Sequence, residues 1–343
     1  MLDPRKSTVL AMAIERYIQS SEPVGSKYIA QEMGSISSAT IRNDMAALEA
    51  LGLLEQPHAS AGRIPTQQGY RVYLDQLMQP KPLSIAQKRA IDALFNVRNA
   101  DPDRLLSDAT KAISMLTGLG GFSTTIMNQT VTVKKITITP ADSRTLMIAM
   151  IASNGVIKNK VCRVDFDVNG AMVEVFAKFA NARMAGHSLD QISQSYLNAV
   201  SVDLGSYSMV FNPILGCIYE LAKEINDGQY FLQGTTRLLK FTEIDGHAYE
   251  LLAFLERPGE IAKLVGGGAS HTWAIIGRES QTPELTKCSV LVSRYQIGDS
   301  ATGLIGVVGP TRVDYSTILP QLEYFAGTLG RLLTDTYTEE PLG

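Results

Sequence analysis

Residues 38–51 constrain the fold most, because a single helical repeat there carries two faces that need different surroundings. Ile41, Met45 and Leu48 fall on one side at three- and four-residue spacing and require a core. Ala39, Asn43, Ala46 and Ala50 fall on the opposite side, with Arg42 on the flank. The neighbouring segments say what this helix belongs to. Leu10, Ile14, Tyr17 and Ile18 predict a first helix, which Pro23 and Gly25 end. Ser26 caps a short second helix through Met33, and Gly34 to Ser37 form a turn. Gly52 stops the third helix. Leu53–Gln56, the PHASAGR loop and Ile64-Pro65-Thr66 then read as two short strands around a turn, and a helix from Thr66 to Met78 closes the segment. This order describes a winged helix-turn-helix.

Small side chains on the outer face let a helix lie close in a major groove, where the methyls of Ala39 and Ala46 can rest on thymine methyls. Asn43 can pair bidentately with adenine, and Arg42 can reach guanine or phosphate. Ser38 and Thr40, at the helix start, can donate to phosphates beside free backbone N–H groups. The alanines alone would suit packing against another helix equally well; the wing shifts the balance. From Pro57 to Tyr73 the only charged side chains are Arg63 and Arg71. Arg63 in the small-residue turn can lie along a phosphate backbone or in a minor groove, with Ser60 and Thr66 beside it. His58 fits a DNA contact and a plain surface histidine about equally. Seven bases against eight acids leave residues 1–80 at −1, so affinity must come from local placement and from two heads acting together.

Beyond this head, Pro80-Lys81-Pro82 reads as a stiff linker separating it from the body. Ser84 and Asp101 each precede a helical pattern. Strands are expected at 131–138, 145–152 and 156–164, the last two joined through Ser153-Asn154-Gly155, whose Asn and Gly accept positive φ. Helical patterns fill 167–240, with Met209, Val210, Phe211, Ile214, Leu215 and Ile218 offering more apolar surface than an excursion needs. Strands return at 272–276, 289–296 and 303–308 before a long closing helix from Tyr315. Strands, helices and strands again give an α+β body with a helical insertion. A chain of 343 residues, 45% hydrophobic, 19% charged and at net charge −3, suits a multidomain globular protein and excludes a generally basic coat protein.

The three cysteines form no CxxC and the four histidines no HxxxH pair, so neither a disulfide framework nor a metal site is expected. The start of the chain is unlike a signal peptide. The longest uncharged window, residues 112–133, would make a poor membrane span, so a cytoplasmic protein without membrane contact is expected.

The strings RKSTVLAMAIERYIQSSEPVGSKYIAQ, SSATIRNDMAALEALGLLEQPHASAGRIPTQQGYRVYLD and GVVGPTRVDYSTILP resemble the HrcA family of heat-inducible transcription repressors over nearly the whole chain. Val313, IGRES at 276–280 and LQGTTRLL at 232–239 depart from the family's usual strings. The resemblance implies a winged-helix head at 1–79 and a GAF-like domain at 80–166 and 241–343, with a dimerisation domain inserted at 167–240. It also implies a homodimer on an inverted-repeat operator of double-stranded DNA ahead of chaperone operons, kept active by the GroE chaperonin. It places the DNA contacts at Ser38, Thr40, Arg42 and Asn43, and at His58, Ser60, Arg63 and Thr66.

Other chemistry finds little support. Gly266-Gly267-Gly268 precedes a strand, the wrong order for a phosphate loop, and Gly118, Gly120 and Gly121 miss the dinucleotide spacing. Arg312 and Asp314 read as an ion pair beside a tight turn, and Cys288 as a buried thiol. No cofactor is expected. The competing readings are a small-molecule-gated regulator sensing through the GAF-like domain and, more weakly, an enzyme with an accessory head.

Overall fold

The computed structural model describes residues 2–58, 61–95, 102–127, 131–153, 156–205, 208–226, 228–268, 270–298 and 301–338. The chain divides into two compact units. The first comprises Met1–Ser123, Phe231–Tyr295 and Leu304–Leu332, and the second Thr124–Tyr230, Gln296–Gly303 and Leu333–Gly343.

The first unit opens with three helices, α1 (Pro4–Ser20), α2 (Ser26–Met33) and α3 (Ser38–Ala50). Asp3 caps α1 through the Lys6 N–H and Ser37 caps α3 through the Thr40 N–H. Leu10 and Ile14 of α1, Ile29 of α2 and Ile41, Met45 and Leu48 of α3 are all buried, so the apolar stripes read from the sequence meet in one core. Asp44 is buried as well, and its carboxylate is paired: Arg5 donates from Nε at 2.7 Å and from Nη2 at 3.0 Å. That bond ties the first turn of α1 to the middle of α3. A two-stranded wing follows, β1 (Leu54–Glu55) antiparallel to β2 (Ile64–Pro65), with Leu54 opposite Pro65. The closing helix expected at 66–78 is α4 (Gln67–Val72), which runs into a π-helical turn at Tyr73–Leu77.

The rest of this unit begins with α5 (Ile85–Asp92), capped by Ser84, and α6 (Pro102–Thr117); Asp101 lies outside the described residues. Among the described residues, this unit holds most of a sheet of five strands. In chain order they are β3 (Gly120–Met127), then, numbered after the second unit's three, β7 (Gln229–Gln233), β8 (Thr272–Ile276), β9 (Cys288–Ile297) and β10 (Ala301–Pro310). The spatial order is β7-β3-β10-β9-β8, with β8 antiparallel to β9. Both β9 and β10 are buried along nearly their whole length, as strands covered on both faces must be. The helices α10 (Ala248–Leu255), α11 (Pro258–Gly266) and α12 (Tyr315–Thr338) complete the architecture. Tyr315, Leu322, Phe325 and Leu329 of α12 are fully buried, matching the spacing that predicts this helix.

The second unit pairs β4 (Val133–Pro140), β5 (Thr145–Ala152) and β6 (Ile157–Arg163) in one antiparallel sheet with α7 (Gly170–Met184), α8 (Gln194–Leu204) and α9 (Ser208–Asn226). Thr145 faces Arg163 and Ile151 faces Ile157, the hairpin expected from the sequence; Asn154 and Gly155 of its turn lie outside the described residues. The expected boundary at residue 167 falls inside this unit. Ile136, Ile148 and Met150 of the strands share one core with Phe176, Met184, Ile214 and Ile218 of the helices, so the strands belong with the helices that cover them. The same core accounts for Phe211, Ile214, Leu215 and Ile218, which the sequence reading offered as assembly surface; of that group Met209 is the one left fully out, at 84% exposure.

Candidate nucleic-acid interface

The outer face of α3 is as the helical wheel predicts: Ala39, Arg42, Asn43, Ala46 and Ala50 are all exposed. Arg42 and Asn43 have no side-chain partner among the described residues, so their donors and acceptors are free for a base edge or a phosphate. Ser38 and Thr40 are part-exposed at the helix start, where the Thr40 hydroxyl sits 3.0 Å from that of Ser37.

A second element faces the same solvent and was not singled out from the sequence. The cap of α2 is Gly25, not Ser26, and it supplies no side-chain oxygen. A helix start left without a side-chain cap presents backbone N–H groups to an anion. Beside it opens a cleft of about 530 Å³ lined by Ser26, Lys27, Arg42, Gln56 and Gly62 among others. Three cations line this cleft beside an uncapped helix start, Lys27, Arg42 and Arg63, an arrangement suited to a phosphate. The sequence clue was the glycine before Ser26, read there as a helix stop.

The wing departs from expectation. Arg63 does not extend from the turn. Its backbone exchanges two hydrogen bonds with Val24, at 2.8 and 2.9 Å. Its guanidinium turns back onto α3, with Nε and Nη2 at 3.0 and 2.9 Å from Glu49 Oε2, and the side chain is 14% exposed. The close approach needs a glycine: a Cβ at Gly62 would stand 2.4 Å from the Val24 carbonyl oxygen, so its absence lets the wing lie against the α1–α2 connection. Thr66 is also committed: its hydroxyl accepts from the Gly69 N–H at 3.0 Å and donates to the Gly52 carbonyl at 2.6 Å, capping α4. Both side chains thus have partners within the head. His58 is exposed, and Ser60 lies outside the described residues.

The head is seated on the body by side chains of α4 and the linker. Arg71 Nε donates to Glu279 Oε1 at 2.8 Å, its Nη2 pairs with Glu279 Oε2, and Nη2 also reaches the Ala274 carbonyl at 2.8 Å. The Glu279 carboxylate beside it, outweighing the cost of burial, raises the Arg71 pKa. Gln67 donates to the Ile276 carbonyl at 2.5 Å and accepts from the Arg278 N–H at 2.9 Å. Lys81, between the two linker prolines, donates its N–H to the Ser316 carbonyl at 2.9 Å, and its ammonium lies 3.2 Å from Asp314. The linker is thus held at its centre.

Asp314 does not pair with Arg312, as the sequence suggested. It accepts from the Thr317 N–H at the start of α12, while Arg312 pairs with Glu243. Burial works to raise the pKa of both Asp314 and Glu243, but hydrogen bonds to the charged forms prevail and hold both below the usual carboxylate range. Among the described residues no group of three or more His, Cys, Asp or Glu could hold a metal, and no helix is long and apolar enough to cross a membrane.

Known proteins match both halves of this arrangement. The family model for the winged helix-turn-helix transcription repressor HrcA, DNA-binding, matches residues 1–78, and that for the HrcA protein C terminal domain matches residues 103–319. A heat-inducible transcription repressor HrcA from Acetivibrio thermocellus is 30% identical over 330 residues, covering 94% of each chain. One from Clostridium perfringens strain 13 is 32% identical over 324 residues, covering 93% of this chain and 95% of that one. A crystal structure of a hypothetical protein shares the fold at a TM-score of 0.65 and 24% identity, covering 98% of this chain and 100% of the other.

Proposed function

The chain belongs to the HrcA family of transcription repressors, and from that premise we propose that it is a cytoplasmic, dimeric repressor of chaperone operons. Each winged-helix head takes one half of an inverted-repeat operator, α3 entering the major groove. Asn43 reads an adenine edge, Arg42 reads guanine or grips phosphate, and Ala39 and Ala46 allow close approach. Ser38 and Thr40 hold phosphate at the start of α3, as the α2 start with Lys27 does across the cleft, and His58 and Ser60 serve at the wing tip. The body, with its GAF-like sheet, joins two copies, and the GroE chaperonin restores the folded repressor until heat diverts it to other clients. The observation that carries this reading is the unpartnered, exposed Arg42–Asn43 edge beside the uncapped start of α2.

The test is a titration of the purified chain on its own chaperonin promoter at several salt concentrations, with temperature and added chaperonin as variables. Asn43→Ala should cost about 1–3 kcal/mol and relax preference at one base pair per half-site. Arg42→Ala should weaken binding too. Parent-like binding by both variants would refute this DNA face. Release by a small molecule alone, with heat and chaperonin inert, would favour a ligand-gated regulator.

A further inference from the structure

The three cysteines are far apart in sequence, yet the fold brings two of them together. Cys162 lies on β6 and Cys217 on α9, in the single core of the second unit, where α9 covers the inward face of the strand. Both are free thiols that act on one another's ionisation, and the Lys160–Glu220 ion pair joins β6 to α9 two residues from Cys162 and three from Cys217. We propose that Cys162 and Cys217 form a peroxide-responsive dithiol site that closes to a reversible disulfide between β6 and α9.

The two positions differ in the way such a site needs. Cys162 is buried at 2% exposure, whereas Cys217 is part-exposed and can meet an oxidant from solvent. The neighbouring Cys162 thiol favours the Cys217 thiolate, and with the smaller help of the Lys160 ammonium this lowers the Cys217 pKa against the opposing effects of burial and the Glu220 carboxylate. Lys160, two residues before Cys162 on β6, is ion-paired with Glu220, three residues after Cys217 on α9, and this pair ties the two elements together beside the thiols. Cys288 offers the contrast: it lies in the other unit, and burial pushes its thiol up to about 12.

The chemistry balances with hydrogen peroxide as oxidant. The Cys217 thiolate attacks one peroxide oxygen, the O–O bond breaks, and Cys217 becomes a sulfenic acid. The departing hydroxide takes up one proton and leaves as water. The Cys162 sulfur then attacks the Cys217 sulfur. The S–S bond forms, the S–O bond breaks, and the hydroxyl leaves as a second water with the thiol proton. One hydrogen peroxide accepts two electrons, both from sulfur.

The test treats the full chain with a small excess of hydrogen peroxide, then alkylates under denaturing conditions and maps peptides without reduction. The expected product has lost two hydrogens and carries a Cys162–Cys217 link within one chain. Cys288 remains alkylatable, and dithiothreitol restores all three thiols. Cys162→Ala should stop at a Cys217 sulfenic acid, trapped by dimedone, and Cys217→Ala should leave Cys162 unoxidised at the same dose. Three intact thiols in the treated parent chain would overturn the proposal, as would oxidation of Cys217 with Cys162 still free, or a link only between chains. The parent chain's map decides the matter even if a variant misfolds.

Discussion

Arg63 is the residue for which surface chemistry and fold chemistry give opposite forecasts, so replacing it by alanine separates them. A hydrogen bond to a charged group contributes about 1.5–3 kcal/mol, whereas an exposed ion pair contributes about 0.2–1 kcal/mol. With its side chains 14% and 37% exposed, the Arg63–Glu49 pair lies between these limits. Glu49 is wet enough to recover some hydration once alone, so Arg63→Ala should destabilise the head by about 1–2 kcal/mol. That corresponds to a rise of roughly 5–30-fold in the population of opened heads. Amide hydrogen exchange on the full chain, read on peptides from α3 and β2, measures that opening in place. Glu49→Gln should raise exchange in the same peptides, and the double variant should exceed either single one by little, because both remove one interaction. An arginine lying on phosphate would behave otherwise: exchange would stay at the parent level, while the salt dependence of operator binding would become shallower by about one unit per head. That pair of results would refute the inward-facing role.

Two further outcomes follow from the seating of the head. The linker should resist a broad-specificity protease despite its two prolines. Glu279→Gln together with Asp314→Asn should open cleavage at 79–84, and a parent chain cut there as fast as the double variant would refute the seating. The same contacts should weaken in acid. Asp314 and Glu243 have folded-state pKa values below their unfolded ones, so their stabilisation is complete above the ordinary carboxylate range and is lost as pH falls through the lowered values. Acid unfolding followed below about pH 4 should show a smaller fall for Asp314→Asn, which no longer titrates there. An identical acid profile would assign the loss to other carboxylates.

Legibility followed the range of the interaction that decides each feature. The two faces of α3, the β5–β6 hairpin and the stripe of α12 are set within a few residues, and periodicity reports them. The partner of Arg63 lies 14 positions back in α3, and that of Asp44 lies 39 positions back at Arg5, beyond the reach of any repeat. Strand patterns at 131–164 show that one face is apolar but not which helices will cover it, so they do not reveal that the second unit begins at Thr124. The meeting of Cys162 with Cys217 has the same origin, since it exists only once α9 lies on β6. At the site itself the exposed face of α3 was legible and the course of Arg63 was not, because its bonds to Val24 and Glu49 join segments distant in sequence.

The amide that ends the Gln67 side chain has the shape and polarity of a peptide unit. It enters the bend at 276–278 as a displaced piece of main chain would, meeting one carbonyl and one N–H there. Recognition of this kind ignores the side chains of the segment it reads. At position 278 the contact with Gln67 uses the backbone N–H alone, so that bond does not depend on which side chain stands there. Position 67 has no such latitude. A glutamate in its place would keep the acceptor for the Arg278 N–H but turn a second oxygen toward the Ile276 carbonyl, so two lone-pair surfaces would face each other across a contact that now closes with one hydrogen.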